Sequence, residues 1–479
     1  MSEHVKPRVA LVWVYPGKEY SSISIPVFGY DFKKREKELM QKLKEYLPDI
    51  DFISFTAYRN EEIEEVAKRK NEFDGYVIYV LGWAYWPLPN LQSIAETRKP
   101  VILISDWLGD SDTFYREYPR MRQKRLPVIA VTSSRFEDVV KAIKLLKVIK
   151  RLKESKVLMI MEEEKKAAMF GINLQEFEKA VKEVFGIQTL RMTIDEFAKN
   201  YLSKVSESEA NAIADMWIDK AERVIEPTRE EIVAEAKIYL AFKKVIEDKK
   251  PDALLFDCTA YGYNFIPDEL FRIFYPDIDP KKRGKKEWPL PTAFPCLAIS
   301  QLLSDGYPIG DEMNVYSTLN LLVMHYLTKE LTGEPRPGFT GGAIFDCATG
   351  SVIYHLCAAP YKMYGPNGPA NPYIIRSHGE SHLSATIQSI MPPGERVTVI
   401  LIIPEKRLLI MHQGITAGNL IEEKWCRNKL VIKANIEKII ENIQKKTWFI
   451  SRTVFYGDWR KPLMDLATLL GLEVFEEDK

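Results

Sequence analysis

Short apolar runs alternating with helix-period segments constrain this chain more than any other feature. Within the first 150 residues such runs fall at 8–14, 52–55, 75–81, 101–105 and 127–132. Amphipathic stretches separate them; in residues 31–46 the leucines Leu39 and Leu43, with Leu47 just beyond, recur every four positions, the spacing of one helix face. Parallel strands need a crossover, usually a helix, so the alternation predicts a parallel α/β layer. The helix after the fifth run ends in a basic turn at 150–153, which suits the negative end of its dipole. A new strand at 157–161 starts at once, which places a first domain at 1–152.

The pattern then repeats. Strands are predicted at 157–161, 188–192 and 253–257, and helices at 174–184, 208–223 and 229–248. Residues 311–329 read as a buried helix, with Val315, Leu319, Leu322, Val323 and Tyr326 at helical spacing. After Gly333 the texture changes: Gly338, Gly341, Gly342 and Gly350 punctuate short strands, and 360–383 is rich in Pro, Gly and Asn. Residues 397–403 and 407–412 form a hairpin pattern, with further strands at 425–434 and 448–456 and helices at 435–446 and 459–470. The expectation is an α/β protein: two parallel-sheet, Rossmann-like domains (1–152 and 153–337) followed by a mostly β domain (338–479).

Composition excludes several classes. The 479 residues carry 67 Lys+Arg and 67 Asp+Glu, so no broad electrostatic footprint for nucleic acid or an anionic membrane is expected. Hydrophobic residues at 46% are enough for several cores. No run approaches 18 uncharged apolar residues, and the polar N-terminus has no signal-peptide pattern, so the expected location is cytoplasmic. Five scattered cysteines without a CxxC pair predict neither a disulfide framework nor a structural zinc site. No GxGxxG or GxxxxGK[ST] occurs, so a nucleotide site has no support.

Chemistry-bearing residues gather in three places. Gly310 to Tyr316 (GDEMNVY) sets Asp311 and Glu312 at a predicted helix start, where acidic groups also serve as ordinary caps. In Gly341 to Cys357, Asp346 ends an apolar run before Gly350, most often the place of a turn residue, and His355 lies in an apolar run, where a histidine is more often a hydrogen-bonded core residue than a ligand. Arg376 to His382 (RSHGESH) holds His378, Glu380 and His382 within five residues; it is not HExxH, its Gly argues against a helix, and a polar loop is the default reading over a metal motif. Carboxylates with histidines nearby are what a divalent cation with mixed O and N ligands requires.

Taken in order, these segments resemble the L-fucose isomerase / L-arabinose isomerase superfamily along the length of the chain. The carriers are Glu312 to Leu319 (EMNVYSTL) with Tyr326 to Thr328, Phe345-Asp346 followed by Val352 to Pro360, Ser377-His378-Gly379, Trp425-Cys426-Arg427, and Val454 to Asp458 (VFYGD) before Leu469 to Glu473 (LLGLE). Each is loose; their order and spacing carry the resemblance. It implies a Mn2+-like cation holding the two reacting oxygens of an open-chain sugar, and two carboxylates that ligate it and shuttle protons through an enediol. Glu312 and Asp346 match those two positions. Trp83, in Gly82 to Trp86 (GWAYW), resembles a family aromatic that reaches a neighbouring subunit's sugar site, although packing against Tyr85 and Trp86 explains it equally. His355 and His378 are further substrate-binding candidates, and a homo-oligomer, a hexamer or trimer, is implied.

Three departures stand against a complete site. The family's third ligand, a His before the YGD segment, is replaced here by Ile450-Ser451; the family Asp two after the Glu is Asn314; the Cys before the Glu is Asp311. The resemblance therefore leaves two expectations: a metal-dependent aldose–ketose isomerase in which His355, His378 or His382 compensates, or a non-catalytic sugar-binding homologue.

Overall fold

The computed structural model describes residues 6–17, 30–82, 88–106, 113–161, 172–258, 290–292, 294–312, 314–446 and 451–479. The chain divides into two compact units, 1–153 with 461–474, and 154–460 with 475–479. The boundary read at 152 falls one residue from the first division; the expected second domain lies in the second unit from 154 on, whereas the expected third is split, with 461–474 in the first unit. The architecture is mixed α/β, with two parallel sheets and an antiparallel β region toward the C-terminus.

In the first unit, β1 (Arg8–Val14), β2 (Asp51–Ala57), β3 (Gly75–Val80), β4 (Val101–Ser105) and β5 (Val128–Val131) form a parallel sheet of order β2-β1-β3-β4-β5. Every residue of β3 is buried, as in a parallel sheet covered on both faces. The helix Phe32–Tyr46 starts where Asp31 accepts the Lys34 N–H and buries Leu39 and Leu43, the residues its spacing marks.

The second unit opens with β6 (Lys156–Ile160), β7 (Gln188–Met192), β8 (Arg223–Val224), β9 (Ala253–Phe256) and β10 (Ile309–Gly310). Its parallel sheet has the order β10-β9-β6-β7. The helix Arg229–Lys249 has a reciprocal cap, Thr228 with Glu231, and ends at Lys250 in the left-handed conformation. The helix Val315–Thr332 is buried on almost all sides, as expected for a central helix. It begins at Val315, later than the sequence predicts: Asn314 caps it by accepting the Ser317 N–H at 3.0 Å, which leaves Asp311 and Glu312 outside it.

The antiparallel region comprises β11 (Phe339–Asp346), β12 (Ser351–Leu356), β13 (Tyr373–Arg376), β14 (Thr386–Ser389), β15 (Pro393–Ile403), β16 (Leu408–Asn419), β17 (Asn428–Lys433), β18 (Arg452–Tyr456) and, at its edge, β19 (Glu473–Glu476). Neighbours run β15-β18-β11-β12-β17-β16, and β15 also pairs with β16, which closes six strands into a barrel. Asn320 of the central helix donates to Ile400 O and Thr453 Oγ1 and accepts the Ile402 N–H. One satisfied buried amide thus fixes the helix against β15 and β18. β13 and β14 pair beside the barrel, and β8 joins them.

Candidate functional site

The candidate site lies where the carboxyl ends of β9 and β10 meet the barrel, the position that open α/β sheets offer to ligands. β9 delivers Asp257 and Cys258, and β10 delivers Asp311 and Glu312. Residues 259–289, which follow Cys258, lie outside the described residues.

Glu312 adopts φ +53°, the left-handed region that non-glycine residues seldom occupy. Its N–H donates to Cys258 Sγ at 3.3 Å. Burial, then the neighbouring Asp311, Cys357 and Glu380, hold its carboxyl well above the usual carboxylate range. Burial likewise pushes Asp311 up to about 7. Burial and several groups of negative character thus oppose ionisation of the Glu312 carboxyl.

The barrel supplies the other wall. Cys357 follows β12, Cys426 precedes β17, and Cys296 opens the helix Cys296–Ser304. Four of the five cysteines, scattered in sequence, are buried here; Cys347 is exposed. The Cys296 and Cys426 thiols donate toward Cys357 and hold it well below the usual thiol range. Cys426 Sγ also lies 3.4 Å from Glu380 Oε1 and 3.4 Å from His355 Nδ1.

His378 is buried and stacks flat on Phe294, with ring centroids 4.2 Å apart. The Ser381 N–H donates to its Nδ1, so the proton of the neutral ring sits on Nε2. Burial alone lowers the His378 pKa, but interaction with the Cys357 sulfur raises it above the ordinary value. His355 is shifted down, chiefly by burial. The Arg376 to His382 segment is therefore the wall that carries His378 and Glu380, a role that its local pattern only hinted at. Arg376 itself pairs with Glu226 and Glu423, as does Arg427.

The structure does not bring Asp346 to this site. Asp346 ends β11 in the hairpin to β12, pairs with Ser351, and is half-buried. Its carboxylate accepts the N–H groups of Ala348 and Thr349 and the Thr349 hydroxyl, the pattern of an Asx turn. From Ser351 to Cys357 the strand runs six residues, roughly 20 Å at 3.4 Å each. Opposite His355, β11 presents Gly342, where a Cβ would stand 3.2 Å from His355 Nε2. Next to it, a Cβ on Gly341 would meet the His355 backbone. The expected second carboxylate is thus a turn residue, and the strand segment facing the site carries glycines.

Among the described residues, no three His, Cys, Asp or Glu side chains converge as a metal cage requires. Oxygen ligands suit Mn2+, and around Glu312 the carboxylates Asp311 and Glu380 stand beside the thiols Cys258 and Cys357. The pair of ligands that the resemblance implies, Glu312 and Asp346, is not brought together. Trp83 and Ile450 lie outside the described residues; Ser451 precedes β18. No family model and no curated protein matches the chain. No helix among the described residues is long and apolar enough to cross a membrane.

Proposed function

We propose that this protein is an aldose–ketose isomerase-like protein that takes a small open-chain sugar at the Glu312 cluster. The observation that carries the reading is Glu312 itself: a backbone-strained carboxyl, pushed well up by burial, at the carboxyl end of a parallel sheet, beside Cys357, whose surroundings push it the opposite way. Groups with oppositely shifted pKa values mark acid and base roles. Glu312 donates its proton to the carbonyl oxygen, while an adjacent basic group, the Cys357 thiolate or the Glu380 carboxylate, removes the proton from the neighbouring carbon. The product of that step is the enediol; the base then returns its proton to the other carbon while the remaining enediol hydroxyl gives its proton back to Glu312, which forms the new carbonyl and restores the acid. A balanced net charge suits a neutral substrate. The order β2-β1-β3-β4-β5 supports a Rossmann-like reading of the first sheet, and the homo-oligomer implied by the resemblance belongs to the same proposal.

The remoteness of Asp346 and the presence of Ser451 favour a second reading, a sugar-binding homologue that does not turn over. One experiment separates the two. A panel of aldoses and ketoses is incubated with the protein in D2O, with and without Mn2+, and deuterium at C1 and C2 is followed by NMR. Exchange that disappears in Glu312→Gln supports the isomerase. Polyol-dependent thermal stabilisation that survives EDTA, with no exchange, supports the binding protein. Neither exchange nor stabilisation across the panel sinks both.

A further inference from the structure

The segment between β16 and β17 holds one aromatic side chain in solvent by unusual means. Trp425 has φ +65°, a strained conformation for a bulky residue, and 54% of it remains exposed. Its carbonyl occupies the space where any Cβ on Gly379 would stand, so the approach requires glycine there. Two residues back, Glu423 accepts from Arg376 at 2.8 Å and from Arg427 at 2.7 Å, and both arginines are buried. Lys429 Nζ donates to the carbonyls of Glu422 and Cys426. Strain, a required glycine and ion pairs to buried arginines all fix this segment, yet none of them buries the indole.

The indole is held over the candidate site. Its ring lies 5.7 Å from His355, tilted by 30°. The next residue, Cys426, touches both His355 and Glu380 and lies near Glu312. We propose that Trp425 is the stacking platform for the carbon chain of a sugar or polyol bound at the Glu312 cluster, with Gly379 and Glu423 as its positioning residues. An indole face accepts the apolar C–H face of a polyol while leaving the hydroxyls free for the polar wall opposite. Strained backbone persists where the surrounding structure over-determines it, and such sites cluster at ligand clamps. This inference rests on the sugar reading of the site.

The test uses the full chain and a set of pentitols and hexitols as probes. Binding is read by thermal shift and by acrylamide quenching of tryptophan emission, in wild type, Trp425→Phe, Trp425→Ala, Gly379→Ala and Glu312→Gln. Bound polyol is expected to protect part of the wild-type emission from quenching, and the protected fraction to vanish in Trp425→Phe, which keeps a ring for the fold. Trp425→Ala is expected to weaken binding by about tenfold or more, the loss of one well-buried contact face. Gly379→Ala is expected to match it with the indole still present, because its Cβ displaces the Trp425 carbonyl. Binding that is lost in Glu312→Gln but unchanged in Trp425→Ala and Gly379→Ala overturns the platform and leaves the sugar reading standing. Wild-type protein that binds no polyol overturns the sugar reading, and the platform with it.

Discussion

The backbone N–H of Glu312 points at Cys258 Sγ, 3.3 Å away, from a left-handed turn. A non-glycine residue held in this region costs about 1–3 kcal/mol. That strain, together with a carboxyl pushed well above the usual range, is the pattern of a side chain kept for its chemistry. Glu312→Gly is therefore expected to be at least as stable as wild type at pH 8, by up to about 1 kcal/mol in denaturant titration. It is also expected to lose all sugar-dependent deuterium exchange. A large loss of stability would show that the Glu312 side chain is structural.

The neighbouring acid sets a pH dependence. Burial raises Asp311 from 3.8 to about 7, so between those values the folded state holds a proton that the unfolded state has released. Stability then falls as pH rises through this window, because the unfolded chain binds fewer protons. Asp311→Asn removes the titration. Its melting temperature relative to wild type is expected to climb between pH 4 and pH 7.5 and then level off. A constant difference across that range would refute the assignment.

Asp346 behaves in the opposite sense. Thr349 and the turn N–H groups hold its carboxyl below the ordinary value. Its contribution is therefore present above pH 3.8 and is lost as pH falls through the lower folded value. Asp346→Ala is expected to loosen the hairpin slightly and to leave sugar binding and exchange untouched, by the same NMR assay. Loss of exchange at wild-type stability would return Asp346 to the site.

These three residues show where the sequence was legible. The alternation of apolar runs and helical segments foretold both parallel sheets, because periodicity is local and each run needs only its own residues. Glu312 stood out as an acid at a helix start, although the helix begins after it, at Val315. Asp346 before Gly350 read locally as a turn residue and only the resemblance made it a ligand; its pairing with Ser351 places it in the turn. The thiol cluster was illegible, since Cys357 and Cys426 are joined by the pairing of β12 with β17 and Cys296 comes from a separate helix, none of which spacing reveals. The Arg376 to His382 loop gains its meaning from partners far away in sequence: Glu226 is 150 residues from Arg376, and Cys426 is 46 from Glu380. Trp425, read as a strand residue, lies in the segment before β17, where its left-handed backbone leaves no sequence signature.

Glu235 illustrates a buried acid with a structural job. It is fully buried on the helix Arg229–Lys249 and accepts the Ala298 N–H at 3.1 Å and the Thr292 hydroxyl at 3.0 Å. It thereby satisfies the first turn of the helix Cys296–Ser304, and burial pushes its carboxyl well up. Glu235→Gln keeps the shape and most acceptors and is expected to cost under about 1 kcal/mol. Glu235→Ala leaves buried donors unsatisfied and a cavity, a loss of about 2–4 kcal/mol. Equal losses in urea titration would mean that the charge, and not the acceptor, matters.

The chain's last residues close the barrel unit through an ion pair that water barely reaches. Arg452 Nη2 and Glu477 Oε1 are 2.7 Å apart, with side chains 3% and 1% exposed. Glu477 is anchored by its own N–H to Met411 O, and Asn442 donates to its carbonyl, so the carboxylate cannot swing out to solvent. Removing one partner strands a buried charge, which costs about 3–5 kcal/mol, more than the pair itself contributes. Glu477→Gln and Arg452→Met are each expected to show that loss in denaturant titration. The double variant Arg452→Met, Glu477→Met should recover more than half of it, since no charge is then left without its counterpart. Additive losses in the double variant would show that the two side chains act independently.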